Sequence, residues 1–160
     1  MKLSAKLICY HLQKSFPMDT SRLDTEPTLL CPACYEKNTP LQEGRVYLIT
    51  NPDFQPTFHH PKNILFLMIG KTYRNYELTQ PNMYVIPEDF PANTIFNKLQ
   101  EIFILYDRWN QSLMDSRLRN ASIQELLDLT ASIIPNPMML IGMDFTIIAS
   151  RDWNLSDLSN

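Results

Sequence analysis

Apolar runs in the first half of the chain are short and bounded by Gly, Pro or Asn, a pattern typical of strands. The predicted strands cover 28–31, 45–50, 63–69 and 83–86. The run at 63–69 does not alternate with polar residues, which predicts burial on both faces near the centre of a sheet. Residues 3–16 instead place apolar side chains at near-helical spacing, and we expect an amphipathic helix that ends at Pro17.

One long apolar stripe follows Pro91. Its residues recur every three or four positions: Ile95, Leu99, Ile102, Tyr106, Trp109 and Leu113. This spacing predicts a helix over about 93–118. Such a stripe packs either on its own sheet or on the same helix of a second chain, and its period does not separate the two. At about 1.5 Å per residue the helix would be nearly 40 Å long, more than a small sheet covers. The length therefore favours a homodimer.

The last forty residues predict a short helix and a hairpin. Ser122, with Glu125 three positions later, has the spacing of a capping box, and the helix should run to about residue 134. Apolar runs at 138–141 and 145–149 flank a turn containing Gly142. Because an isolated hairpin is marginally stable in water, we expect it to dock on the first domain or to be completed by residues beyond 160.

These elements predict an α/β protein: a small mixed sheet flanked by helices, then a long linker helix, a short helix and a terminal β-hairpin. The expected organisation is an α/β domain over 1–90, a linker and dimerisation helix over 91–120, and the start of another domain over 121–160. The 160 residues allow one good core and an appendage.

Composition narrows the location and the partners. A net charge of −3 and a pI of about 5.5 argue against a DNA-binding surface within this segment. No apolar run approaches the roughly 20 residues of a membrane span, and no secretion signal is visible at the N-terminus. With three cysteines, an odd number, the sequence fits a reducing compartment. We expect a cytoplasmic protein without membrane contact.

The only chemical motif defined by spacing is Cys31-Pro32-Ala33-Cys34. Two thiols three apart can close a redox-active ring or supply half of a zinc site, but they are more often ordinary thiols. Additional zinc ligands would have to come from Cys9, His11 or the pair His59-His60, and these residues do not form a second pair with the spacing of a zinc finger. We expect no metal site and no cofactor.

Candidate ligand-binding residues follow the strand at 63–69. Lys71, Tyr73 and Arg74 come directly after its carboxyl end, where ligands gather in open α/β sheets. A phosphate loop is excluded because position 65 is Leu and the chain has only three glycines. No nucleophile, base and orienting group stand at recognisable spacing. The sequence therefore predicts a protein that is not an enzyme.

A family resemblance covers a little under half of the chain. The runs 83–86, 95–103 and 106–113 resemble the linker helix of bacterial transcriptional regulators of the PucR (purine catabolism regulator) type. Residues 123–149 are similar to the segment where those proteins enter a PAS- or GAF-like sensory domain. The first 80 residues match no motif of that family.

The resemblance implies the N-terminal sensory and dimerisation region of a cytoplasmic regulator. It would relay binding of an unknown small-molecule effector or a partner to a DNA-binding domain outside this chain. The alternative from a different class is a thiol- or metal-responsive switch built on Cys31 and Cys34.

Overall fold

A computed structural model of the chain describes residues 1–18, 28–37, 39–50, 63–73, 83–87 and 89–152, without the side chain of Thr72. The chain divides into two compact units, Met1–Ile104 and Leu105–Asn160. The boundary lies inside the long helix, so the helix does not form a unit of its own. Within the described ranges, no helix combines the length and apolarity needed to cross a membrane.

The first unit is built on a parallel sheet of four strands. Its strands stand side by side in sequence order: β3 (Cys31–Cys34), β4 (Arg45–Ile49), β5 (Leu65–Ile69) and β6 (Met83–Ile86). Two two-residue strands, β1 (Leu3–Ser4) and β2 (Thr28–Leu29), form a separate antiparallel pair. The α/β class is confirmed, and β5 lies between two neighbours with all five residues buried.

Residues 31–34 form a strand, although the sequence analysis places a strand only over 28–31. Leu30 separates β2 from β3, and its N–H donates to the Gly44 carbonyl at 2.7 Å. β3 then pairs in parallel with β4, from Cys31 opposite Arg45 to Cys34 opposite Leu48. Pairing with a strand fourteen residues away gives this Pro-containing segment its extended conformation, and Pro is tolerated because β3 lies at the edge of the four-stranded sheet.

The sheet is apolar on both faces. Alternate strand residues on one face join a cluster with Tyr73: Tyr47, Ile49, Ile64, Phe66, Met68 and Met83. The intervening residues point to the opposite face because side chains alternate along a strand. They are buried as well: Val46, Leu48, Leu65, Leu67, Tyr84 and Ile86. This arrangement requires covering layers on both faces.

Helix α1 (Ala5–Leu12) supplies an apolar stripe to the same unit. The Ser4 hydroxyl caps its first turn by accepting from the Leu7 N–H at 3.2 Å. Its buried residues follow the i, i+3, i+4, i+7 spacing of one helix face: Ala5, Ile8, Cys9 and Leu12. The helix is shorter than the predicted 3–16, because β1 takes its first residues and turns follow Leu12.

Helix α2 (Ala92–Leu118) is a continuous helix of 27 residues, as the apolar stripe predicts. Helix α3 (Ile123–Leu129) begins at the predicted capping box. The Ser122 hydroxyl accepts from the Glu125 N–H, and the Glu125 carboxylate accepts from the Ser122 N–H. The Ser122 N–H and hydroxyl both donate to this carboxylate, and these two hydrogen bonds lower the pKa of the Glu125 carboxyl. The helix ends earlier than predicted, in a 3-10 turn at Thr130–Ser132.

The terminal hairpin consists of β7 (Met138–Ile141) and β8 (Ile147–Arg151). β8 starts two residues later than the sequence predicts, because Phe145 belongs to the turn with a positive φ of 63°. The Asp144 carboxylate holds this turn by accepting from the N–H and hydroxyl of Thr146 at 3.2 and 2.7 Å. The register shifts between Leu140, which pairs with Ala149, and Ile141, which pairs with Ile147, so the extra residue is Ile148 on β8 and the alternation along β7 is kept.

Candidate functional site

The carboxyl end of β5 is linked to the segment that precedes α2. Gly70 follows the strand with a φ of +121°, a conformation that side chains rarely adopt. The next residue, Lys71, donates its N–H to the Asp89 carboxylate at 3.0 Å. Its ammonium lies 3.6 Å from the other carboxylate oxygen, with both side chains largely exposed. The charge pair itself contributes little to stability, but the geometry ties the loop after β5 to the entry of α2.

The three candidate ligand-binding residues do not form one cluster among the described residues. Lys71 is exposed and paired with Asp89. Tyr73 is only 2% exposed and belongs to the apolar cluster on the sheet. Arg74 lies outside the described residues. Of the three, Lys71 is the residue that the structure places at the surface.

The two thiols of the CxxC motif lie on a strand, which separates them. Side chains three apart on a strand point to opposite faces, and three steps of about 3.3 Å place their Cα atoms roughly 10 Å apart. A disulfide requires Cα atoms within about 7 Å. Cys31 instead contacts the Arg45 guanidinium, with Nη1 at 2.5 Å from its Sγ. The strand therefore does not bring Cys31 and Cys34 together for a shared bond or a shared metal ion.

The remaining candidate metal ligands are dispersed. Cys9 is completely buried on α1, and burial raises the pKa of its thiol to about 12. His11 is half-buried, and His59 and His60 lie outside the described residues. In the part of the chain that the structure describes, no three His, Cys, Asp or Glu side chains are grouped as a metal site would require.

The apolar stripe of α2 is buried in its first half. Ile95, Leu99 and Ile102 are at most 3% exposed within a single chain. These side chains belong to the core of the first unit and are not free to meet a second copy. In the second unit Tyr106 is also buried, whereas Trp109 and Leu113 are partly exposed. The predicted dimer contact of the stripe is thus restricted, in the folded chain, to its last two residues.

The aromatic pair on α2 leaves one polar atom without a partner. Tyr106 and Trp109 meet edge to face, with ring centroids 6.4 Å apart. The Trp109 indole Nε1 is buried and has no hydrogen-bond partner among the described residues. Unsatisfied buried donors are uncommon in folded proteins.

The terminal hairpin exposes a large amount of apolar surface. Most of its large apolar side chains stay in solvent: Leu140, Ile141, Met143, Phe145, Ile147 and Ile148. Ala149 and Arg151 are its buried residues. Helix α3 lies against β8 but buries none of its own residues. The sequence predicts a hairpin that needs a partner, and the described residues leave this apolar surface uncovered.

Arg151 has a structural role that no pattern in the sequence indicates. Its guanidinium is buried and donates to the Asn136 carbonyl and the Thr130 hydroxyl, each at 2.7 Å. It also donates to the carbonyls of Ile134 and, at 3.4 Å, Leu127. These acceptors lie at the end of α3 and in the turn that follows it. No spacing rule connects these residues, since they are 15 to 24 positions from Arg151.

Gln124 was missed for the same reason. Its side-chain amide makes two hydrogen bonds to the backbone of Ser150. Nε2 donates to the Ser150 carbonyl at 2.9 Å, and Oε1 accepts from the Ser150 N–H at 3.2 Å. The amide thus occupies one position along the outer edge of β8.

Comparison of the chain with protein-family models, curated proteins and solved structures finds no match.

Proposed function

We propose that this chain is the N-terminal sensory and dimerisation region of a cytoplasmic, PucR-like bacterial transcription regulator. In this proposal it is not an enzyme, binds DNA only through regions outside this chain, and functions without membrane contact. The α/β unit receives the signal, and α2 carries it toward the second unit and the domains beyond.

The observation that carries the proposal is the contrast between the two units. Buried apolar residues concentrate in the first unit, whereas the hairpin of the second exposes apolar residues on both strands. Apolar patches larger than a few hundred Å² mark interaction surfaces in soluble proteins. A single continuous helix, α2, runs from one unit into the other. An exposed apolar surface in the unit that follows this helix suits a signalling module.

The proposed signal enters at the carboxyl edge of the sheet. A small-molecule effector that binds Lys71 would compete with Asp89, three residues before α2 begins. Such a ligand changes the protein only by the difference between its affinities for the two arrangements. Tyr73 would anchor this loop, since its side chain is buried in the apolar cluster on the sheet. Arg74, the third candidate, follows directly in the sequence.

A reporter experiment tests the dimerisation role. Residues 1–160 are fused to a DNA-binding domain that represses a promoter only as a dimer, and repression is measured in bacteria. We expect repression by the fusion and none by the DNA-binding domain alone. A stable, soluble fusion that fails to repress would contradict the proposal.

The alternative function is a thiol- or metal-responsive switch at Cys31 and Cys34. The strand geometry of these residues disfavours it. Its test is the zinc content of the purified protein and a count of free thiols before and after mild oxidation, for which we expect no zinc and no loss of two thiols together.

A further inference from the structure

The two outer edges of the terminal hairpin differ. The N–H and C=O groups of a residue in an antiparallel strand point to the same side. The N–H and C=O groups of Ser150 both hydrogen-bond to the Gln124 amide, so they point away from β7. The outer edge of β8 is therefore occupied at this position. A side chain that satisfies an edge in this way hinders pairing with another strand.

The outer edge of β7 is open. Met139 lies opposite Ser150, so its N–H and C=O also point away from the partner strand. By alternation the same holds for Ile141, whereas Gly142 turns inward and donates to the Thr146 carbonyl at 2.7 Å. Within the described residues β7 pairs with β8 alone. Two N–H and two C=O groups thus face outward from this strand.

The strand is suited to pair with a copy of itself. Proteins commonly protect an edge with charged residues, and residues 133–143 contain none. Two copies related by a two-fold axis at Leu140 would place Met139 of each opposite Ile141 of the other. The outward N–H and C=O groups of Met139 and Ile141 in one strand can then form hydrogen bonds with those of Ile141 and Met139 in its copy. Leu140 would face its own equivalent at the axis as a non-hydrogen-bonded pair.

The apolar side chains of β7 would add to the backbone pairing. Leu140 and Ile141 are 43% and 52% exposed on this strand, and a second copy paired along the β7 edge would cover both. The exposed side chains of β8, such as Ile148, lie outside this contact.

We infer that two copies of this chain dimerise by antiparallel pairing of β7 with β7 about a two-fold axis at Leu140. This inference builds on the proposed dimerisation and moves its contact from the α2 stripe to the hairpin. The stripe is unsuitable because its first three residues are already buried within one chain.

Light scattering on two matched variants tests the interface. Leu140→Lys would bring two ammonium groups face to face at the axis, and like charges opposite each other destabilise strand pairs. Ile148→Lys is the control, because Ile148 is similarly exposed (48% against 43%) but lies on β8. We expect the native chain and Ile148→Lys to have twice the mass of 18.7 kDa, and Leu140→Lys to be a folded monomer.

Cross-linking gives an independent readout that does not require loss of binding. In a chain with Cys31→Ser and Cys34→Ser, Leu140→Cys should form a disulfide between two copies, since non-hydrogen-bonded strand pairs approach to about 4.5 Å between Cα atoms. Ile148→Cys should not.

The possible outcomes separate the two proposals. A dimer that survives Leu140→Lys and does not cross-link at position 140 overturns the β7 interface but leaves the proposed dimerisation intact. A native chain that is monomeric contradicts both. Higher oligomers that dissociate equally in the two lysine variants also overturn the β7 interface.

Discussion

Replacing Arg151 tests whether one buried guanidinium holds the second unit together. The side chain is 8% exposed and donates to three carbonyls and one hydroxyl around the end of α3. Its Nε–H also donates to the Asp152 carboxylate at 3.1 Å, an exposed partner that adds little to stability. Arg151→Met keeps a long apolar chain but removes every donor. The variant therefore isolates the hydrogen bonds from most of the packing that Arg→Ala would also remove.

The expected cost follows from the acceptors. A hydrogen bond to a charged group is worth about 1.5–3 kcal/mol, so four would suggest roughly 6–12 kcal/mol. That sum is too large, because Ile134 and Asn136 are exposed residues whose carbonyls can bind water in the variant. Desolvation of the guanidinium also offsets part of the gain. We expect a loss of about 3 kcal/mol. Arg151→Lys should lose about half as much, since one ammonium cannot reach all of these acceptors.

Native-state hydrogen exchange measures this loss within the second unit. A change of about 3 kcal/mol corresponds to exchange roughly 150-fold faster at amides that open with that unit. Amides of α3 and β8 are the ones to follow, with those of β4 and β5 as an internal reference. Arg119→Met is the matched control, because Arg119 is an exposed arginine of the same unit with one hydrogen bond at 3.5 Å. Equal exchange in the two methionine variants would refute the reasoning.

Four further predictions concern the core, a cap and two titrations. Leu99→Ala should cost about 2–5 kcal/mol in urea unfolding, and Leu113→Ala clearly less, since only Leu99 is fully buried. Ser122→Ala should lower the stability of α3 by about 1 kcal/mol, which hydrogen exchange at the amides of its first turn would measure. Burial raises the pKa of Cys9 from 9.0 to about 12, so stability should fall as the pH rises above 9. The expected loss between pH 9 and pH 10 is about 1 kcal/mol, and it should be absent in Cys9→Ala. Burial, with Lys14 and Lys98 nearby, lowers the pKa of His11 below 6.5, so stability should fall as pH drops below 6.5, less so in His11→Gln. If the denaturation midpoint changes with pH in the same way in the native chain and in the matching variant, the prediction for that residue is wrong.

Several elements were predictable because their causes are local. The capping box at Ser122 and Glu125 needs only residues three apart, and it forms as expected. The 3.6-residue period specifies α2. The run at 63–69, which does not alternate with polar residues, contains the buried inner strand β5. In each case the pattern repeats within a few residues, so no distant contact is required to recognise it.

The candidate sites were less predictable because their chemistry depends on backbone conformation and distant neighbours. The CxxC spacing suggests two cooperating thiols only if the segment turns, and pairing of β3 with β4 extends it. Tyr73 looks like a ligand-binding residue by its position after β5, yet the cluster around Tyr47 and Phe66 buries it. Helical spacing defined the α2 stripe without revealing which of its residues one chain would bury.

The sequence by itself determined the kinds and the order of most elements and some of their boundaries, because these follow from short-range periodicity, caps and turn residues. Only the tertiary structure decided that the four strands run parallel in sequence order and that Arg151 and Gln124 bind distant backbone groups. It also decided that, among the described residues, the outer edge of β8 is occupied at Ser150 while β7 pairs with β8 alone. Those properties come from contacts between residues far apart in the chain, and no local pattern encodes them. The open strand on an apolar hairpin is the consequence that most directly concerns function.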